Sequence, residues 1–359
     1  MITKPKPPSR HKLLTSPFAA LVVGVGFYGV AWGGGAYVLQ SQAERWIAAQ
    51  QQAGRNVTHG ELKISGFPGS VQIALSDWSM STPITDGGWT WRTSSLRLWT
   101  QPWTLGRFTV DLAGSHTLSG AWSDLPFTIT ADRADLQPAL SLDGQIDTFD
   151  VNINKLSVGG ANDAPSLAAI ESGALSIHQV DPAKSNDAPI WRLSFNAAKA
   201  SVIGMEHFGV LAPAIETIRF TLDLVGALNA NPLLTALAAW REGGGTVELR
   251  ELALDWPPLS VAASGTLALD ENLQPIGALS AKFQGFFETV DAMTTHGVVR
   301  ASDASMARIV LGLMAREPVG GGTPELNLAV TVQNRKLYTG PISLMTMPEV
   351  VWPEDIVLP

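Results

Sequence analysis

The sequence predicts a mainly β protein: an N-terminal transmembrane helix, then a large, curved antiparallel β-sheet body, an open trough or sandwich-like, with a few short helices. Three observations predict it. Apolar and polar residues alternate with period two through most of the chain after residue 56. Gly, Asp, Asn and Pro separate these runs, as hairpin connections require. A single long uncharged segment, "PFAALVVGVGFYGVAWGGGAYVL", occupies residues 17–39.

That segment is the first element. As a helix, about 23 residues reach roughly 35 Å, enough for a hydrocarbon core of about 30 Å. A cleaved signal peptide has a shorter apolar region and a small-residue cleavage site, and no such site directly follows here. Lys4, Lys6, Arg10 and Lys12 precede the segment, whereas Glu44 and Arg45 after it cancel. The positive-inside rule therefore keeps the N-terminus cytoplasmic and sends the rest outside. Tyr37 and Trp46 fall near the expected outer boundary. "QSQAERWIAAQQQAG" continues as a short polar helix, with Gly54 as its stop.

Composition narrows the chemistry open to the body. The 359 residues are 45% apolar and only 16% charged, which suits extensive buried surface. All 32 acidic residues and all but four of the 24 basic ones lie beyond the apolar segment, so the body is acidic and suits neither nucleic acid nor an anionic lipid surface. The absence of cysteine excludes disulfides, zinc-thiolate sites and thiol nucleophiles.

Alternating runs predict strands over 70–80, 94–99, 106–113, 126–131, 138–143, 146–158, 173–179, 190–196, 216–225, 246–256, 259–270, 277–284, 324–333 and 337–345. The apolar sets are explicit. They are Val71, Ile73 and Leu75 in "VQIALS"; Phe108, Val110 and Leu112 in "GRFTVDLAG"; Trp191, Leu193 and Phe195 in "IWRLSFN"; and Leu326, Leu328, Val330 and Val332 in "ELNLAVTV". Each buries one face and wets the other, as antiparallel strands do. Helical period returns from Asn231, from Gly285 and from Ser302, the last with Met306, Ile309, Val310 and Leu313 on one face behind a Ser302 or Asp303 cap. "GANDAPS" and "VDPAKSNDAP" are expected loose loops.

Chemistry is sparse. The histidines stand alone without a second ligand at metal spacing. Nucleophile elbows and phosphate loops are absent, and Ser9-Arg-His-Lys12 lies in the basic tail, away from any exported chemistry. We therefore expect no enzyme, no cofactor and no metal. The chain has 12 tryptophans against 3 tyrosines. Trp89 and Trp91 share one face of a strand and Trp99 is expected on the next, so cross-strand packing is favoured over a ligand grip.

Gly243-Gly244-Gly245 before a strand, Asp255-Trp256-Pro257, Gly265-Thr-Leu-Ala-Leu-Asp270, Gln274-Pro-Ile-Gly277 and the amphipathic stretch to Met293 form a recognisable series. With the apolar segment, the opening Gly66-Phe67-Pro68 and the ending "LYTGPISLMTMPEV", it resembles the proteobacterial domain-of-unknown-function family 2125 over nearly the whole chain. More loosely, the chain is similar to AsmA-like envelope proteins, whose β grooves are thought to hold lipid. The resemblance implies a Gram-negative inner membrane and a periplasmic body, and carries no active site.

The expected organisation is a basic cytoplasmic tail over 1–16, the anchor over 17–39, a juxtamembrane helix over 40–56 and a periplasmic β-rich body over 57–359. The expected function is binding or handling lipid in an apolar β groove, with Val71, Ile73, Leu75, Phe108, Val110, Leu326, Leu328 and Val330 as candidate lining. The alternative is a non-enzymatic scaffold or assembly factor for other envelope proteins, engaged through sheet edges. Expected partners are the inner membrane with lipid or envelope proteins, and no nucleic acid.

Overall fold

The computed structural model describes residues 17–83, 88–104, 106–120, 123–140, 146–160, 166–180, 191–202, 210–226, 233–318 and 321–352. The chain divides into two units, residues 1–110 with 118–124, and residues 111–117 with 125–359. The basic tail over 1–16, Trp122, and most of both expected loose loops lie outside the described residues.

The first unit is built on α1 (Pro17–Gln52), a continuous helix of 36 residues. The chemistry changes from apolar to polar after Leu39, but no glycine or proline interrupts the backbone there, so the expected anchor and juxtamembrane helix form one element. Gly54 stops it as expected. At φ 82° it lets the Arg55 N–H return to the Gln50 carbonyl at 3.1 Å and its own N–H to that of Gln51 at 3.1 Å. Among the described residues no helix is long and apolar enough to cross a membrane. The expected span begins in the part of α1 whose side chains, through residue 23, lie outside the described ones.

Four strands complete the core of this unit: β1 (Asn56–Thr58), β2 (Leu62–Ser65), β3 (Val71–Ser81) and β4 (Trp89–Thr100). β3 is central, pairing antiparallel with β1, β2 and β4 through Val57↔Met80, Ile64↔Ile73 and Ile73↔Leu98. α1 lies along it. Gly35 approaches Val71, and Ala36 is buried. Ile47 closes a core with Val57, Trp78 and Met80, around which Leu75, Trp89, Trp91 and Leu96 pack. Trp78 meets Trp91 edge-on at 5.9 Å within the core, and Trp46, 49% exposed, stacks on Trp78 at 6.2 Å from outside. Trp99 corrects the sequence reading: it shares β4 with Trp89 and Trp91.

β5 (Thr109–Asp111) and β6 (Gly114–Gly120) are short strands in which the chain passes from one unit to the other. The strand expected over 106–113 is thus mostly loop, and Phe108 precedes β5.

The second unit is an antiparallel meander. It runs through β7 (Ser123–Ala131), β8 (Arg133–Leu140), β9 (Ile146–Gly160), β10 (Ser166–Gln179), β11 (Trp191–Val202), β12 (Ile215–Val225), β13 (Thr246–Trp256), β14 (Leu259–Leu269), β15 (Pro275–Gln284), β16 (Leu326–Gln333), β17 (Lys336–Thr339) and β18 (Ile342–Thr346). From β9 to β18 every strand pairs with the next. β7 and β8 lie end to end along the outer side of β9. The run expected over 337–345 is a hairpin, because Gly340 at φ 54° turns the chain between β17 and β18.

Among the described residues three helices join this meander: α2 (Leu233–Glu242) before β13, and α3 (Phe286–Thr295) and α4 (Ala301–Met314) before β16. α2 is seated by Trp240, whose Nε1 donates to the Val225 carbonyl at 2.8 Å while Gly226 and Gly245 press on its ring. α4 starts earlier than its sequence suggests. Its N-cap is Arg300 with no side-chain cap, and Ser302 bonds Asp303 instead.

Candidate functional site

The register of the meander sorts its side chains into two unlike faces. Residues directly opposite in a ladder share a face. One row across the sheet reads Leu136, Val151, Leu175, Phe195, Phe220, Leu252, Ala263, Ala281 and Leu328. The next row on that face reads Pro138, Phe149, Ile177, Leu193, Leu222, Leu249, Gly265, Leu279 and Val330. One face is therefore apolar from β8 to β16 without a charge in either row.

Most of its large side chains are not sealed, although Pro138, Leu249 and Val330 are buried. Phe195 and Phe220, with ring centroids 5.2 Å apart, are half-buried, as are Val151, Leu175, Leu193, Leu222 and Leu252. The first unit differs: Val71 and Ile73 are each 1% exposed. Among the described residues the largest fully buried side chains are Ile73, Val71 and Asp223, so the one belonging to the meander is an aspartate. A closed β core seals its largest apolar side chains first, since each gains about 1.5–3 kcal/mol from full burial.

The opposite face carries Asp150, Ser176, Ser194, Thr221 and Glu251 in one row, and Thr148, His178, Arg192, Asp223 and Glu248 in the next. Asp223 is the centre of this face. Arg192 grips it through Nε to Oδ1 at 2.6 Å and the guanidinium to Oδ2 at 2.8 Å, and Arg250 Nε reaches Oδ2 at 2.7 Å. Arg250 reaches it because β13 bulges between Leu249 and Leu252, and the extra residue re-aims the side chain. The hydrogen bonds from Arg192 foremost, then those from Arg250, hold the Asp223 carboxyl below its ordinary value against the opposing effect of burial.

His178 has a hydroxyl neighbour on its own strand. Ser176 Oγ donates to Asp150 and lies within hydrogen-bond reach of His178 Nε2. A serine has one proton, so with that proton on Asp150 the imidazole Nε2–H must donate to the hydroxyl. The imidazole is then no base toward this serine, and the carboxylate holds the serine rather than orienting the ring, unlike a nucleophilic triad. No group of three or more His, Asp or Glu suited to a metal ion occurs among the described residues. A depression of about 500 Å³ also opens over β13–β16, lined by residues of both faces, among them Glu251, Ser264, Ser280 and Lys282 with Leu252 and Leu328.

The sequence-predicted lining residues separate. Val71, Ile73 and Leu75 share a face of β3, with the first two sealed against neighbours and Leu75 half-buried. Phe108 and Val110 are half-buried in the same unit, with Phe108 outside any strand. Leu326, Leu328 and Val330 share a face of β16, where only Leu328 is half-open, Leu326 and Val330 each being 6% exposed. The sequence reading missed the middle of the face, on β9–β13, although the Trp191, Leu193, Phe195 alternation already signalled it.

α4 also departs from a simple packing role. Ala304 is fully buried, whereas Met306, Ile309 and Leu313 are 61–82% exposed. Its apolar stripe is turned away from the protein.

No curated protein and no solved structure matches this chain. A family model matches residues 32–348, a range that takes in the later part of α1 and every strand from β1 to β18. The chain belongs to that family, DUF2125, described as uncharacterized proteins conserved in bacteria.

Proposed function

We propose that this protein is a non-enzymatic envelope protein, held at the bacterial inner membrane by its N-terminal segment, that binds lipid acyl chains on the apolar face of its periplasmic meander. The observation that carries the reading is the half-open state of that face: Phe195, Phe220, Leu222 and Leu252 form a continuous apolar surface that is not closed over. Apolar surface left partly open in this way is costly without an occupant, and acyl chains match a face with no charge in its central rows. The four basic residues before the apolar segment support the orientation.

The scaffold reading has its own support. Ile342 on β18 is 61% exposed and Met345 54%, an apolar surface of the kind another envelope protein can cover. Crosslinking separates the two. With p-benzoylphenylalanine in place of Phe220, illumination of intact cells should attach phospholipid, and in place of Thr221, on the opposite face, it should not. Protein adducts at residue 220, or no adduct from either position, would remove the lipid reading; protein adducts at Ile342 would favour the scaffold.

A further inference from the structure

The turn between β2 and β3 is tied to the middle of the apolar segment. Tyr28 Oη donates to the Pro68 carbonyl, and Trp32 Nε1 donates to the Ser70 carbonyl at 2.6 Å. The turn closes on itself through the Ser70 N–H to the Gly66 carbonyl at 2.9 Å. Phe67 meets the Trp32 ring edge-on at 5.5 Å, yet its side chain is 56% exposed. A turn on a water-soluble surface normally leaves its carbonyls to solvent and its tip polar. This one has its carbonyls capped by two amphipathic aromatic side chains, and its outermost residues are Phe67 and Pro68.

This geometry conflicts with an outer membrane boundary at Leu39. Tyr28 lies about 16 Å along a helix from residue 39, which would put the turn and the ends of β2 and β3 near the bilayer midplane. Sheet edges carry unpaired backbone groups that hydrocarbon does not tolerate. Moreover, the inner face of α1 beyond Trp32 is already occupied by protein, with Ala36 buried and Gly35 against Val71.

We propose that the outer lipid interface lies at Phe67, Tyr28 and Trp32, with the Phe67-Pro68 tip dipping into the boundary between headgroups and acyl chains of the bilayer that holds the N-terminal segment. This placement rests on the membrane anchoring proposed for that segment. Two further observations fit the lipid surface as occupant. The tip is continuous with the open apolar side of α1 below it, where Val25 is 59% and Phe27 77% exposed. Counting back from Trp32, the uncharged sequence reaches Leu13, about 20 residues and so about 30 Å if helical, and stops at Lys12, where basic charge belongs at the cytoplasmic surface. Trp and Tyr are the residues that favour such an interface.

The chain has no cysteine, so single cysteines report single positions. Val25→Cys, Phe67→Cys, Tyr37→Cys and the exposed Lys63→Cys should be made in the full chain, spin-labelled and reconstituted into phosphatidylethanolamine–phosphatidylglycerol vesicles. Depth is then read from collision with oxygen against a water-soluble nickel chelate. The expected result is Val25→Cys in the acyl region, Phe67→Cys shallow beneath the headgroups, and Tyr37→Cys and Lys63→Cys in water. A Phe67→Cys label at the midplane or in water, with Val25→Cys in lipid, would overturn this inference and leave the anchor standing. A Val25→Cys label in water would overturn the anchor itself, and the inference with it.

Discussion

Arg192 and Asp223 face each other across β11 and β12 in direct register, and two near-parallel hydrogen bonds of 2.6 and 2.8 Å join them. The carboxylate is fully buried while the guanidinium side chain is 43% exposed. The cost of disrupting the pair therefore depends on which partner goes. Removing an arginine leaves a buried charge short of donors, whereas an arginine left behind can be hydrated. Arg192→Ala removes two of the three side-chain bonds to the carboxylate and should destabilise the meander by about 3 kcal/mol. Arg250→Ala removes one and should cost about 1–2 kcal/mol. Urea unfolding midpoints of the two variants check this, and equal losses would contradict it.

The same site sets a pH dependence. The Asp223 carboxyl, ordinarily near 3.8, is lowered in the folded protein, mainly by its hydrogen bonds from Arg192. A lowered acid contributes stability that is fully present above its unfolded value and is lost as pH falls through the folded one. The stability difference between the native chain and Asp223→Asn should therefore be constant from about pH 7 to about pH 5 and shrink below about pH 4. A difference that is unchanged well below that range would show that the carboxylate's charge is not what stabilises the site.

Trp240 predicts a steric effect with little chemistry in it. A Cβ on Gly245 would stand 2.3 Å from ring atom Cε2 and 2.4 Å from Nε1 of a side chain only 4% exposed. Gly245→Ala must push the indole off the Val225 carbonyl, and overpacking of this kind costs about 1–3 kcal/mol. Combining it with Trp240→Leu should abolish most of the added penalty in a double-mutant cycle, since the smaller side chain frees the space. Additive losses would place the strain elsewhere.

How much of the fold and the apolar face was legible in the sequence depends on which forces act locally. Alternation in "IWRLSFN" and "ELNLAVTV" reports a half-buried strand whatever its partners, so β11 and β16 could be read directly. β1 and β2 are too short for a period to show, at three and four residues. Register was out of reach because bulges at Thr221/Leu222 and Leu249/Leu252 set it. Those bulges bring Arg250 to Asp223 and align Phe220 with Leu252. The apolar segment shows the other limit. Hydropathy cannot distinguish lipid from a covering sheet, and Ala36 is buried by the protein itself. In α4 the stripe of Met306, Ile309 and Leu313 reads like a core face, but the small residue Ala304 forms the packed side.

The C-terminal described segment is held by a clasp that predicts a local effect rather than a global one. Gln274, 6% exposed in the turn between β14 and β15, accepts the Val350 N–H at 2.9 Å and donates to the Val350 carbonyl at 3.0 Å. Beside it, Trp352 Nε1 donates to the Leu273 carbonyl at 2.8 Å. One side-chain amide thus pairs with a backbone residue as a neighbouring strand would. Gln274→Ala leaves both Val350 groups without these partners, at about 1–3 kcal/mol for the clasp. The β14–β15 ladder does not use this side chain, so it should persist. Opening should concentrate in residues 347–352, since segments held by few contacts unfold locally before the whole. Limited proteolysis should cut Gln274→Ala there several-fold faster than the native chain, with the main unfolding midpoint nearly unchanged. Gln274→Glu tests the donor alone. It keeps an acceptor for the Val350 N–H but sets a carboxylate oxygen against the Val350 carbonyl, so it should resemble Gln274→Ala at neutral pH and regain protection when acidified enough to protonate the glutamate. If both variants resist cleavage like the native chain, Trp352 on Leu273 is sufficient to hold the segment.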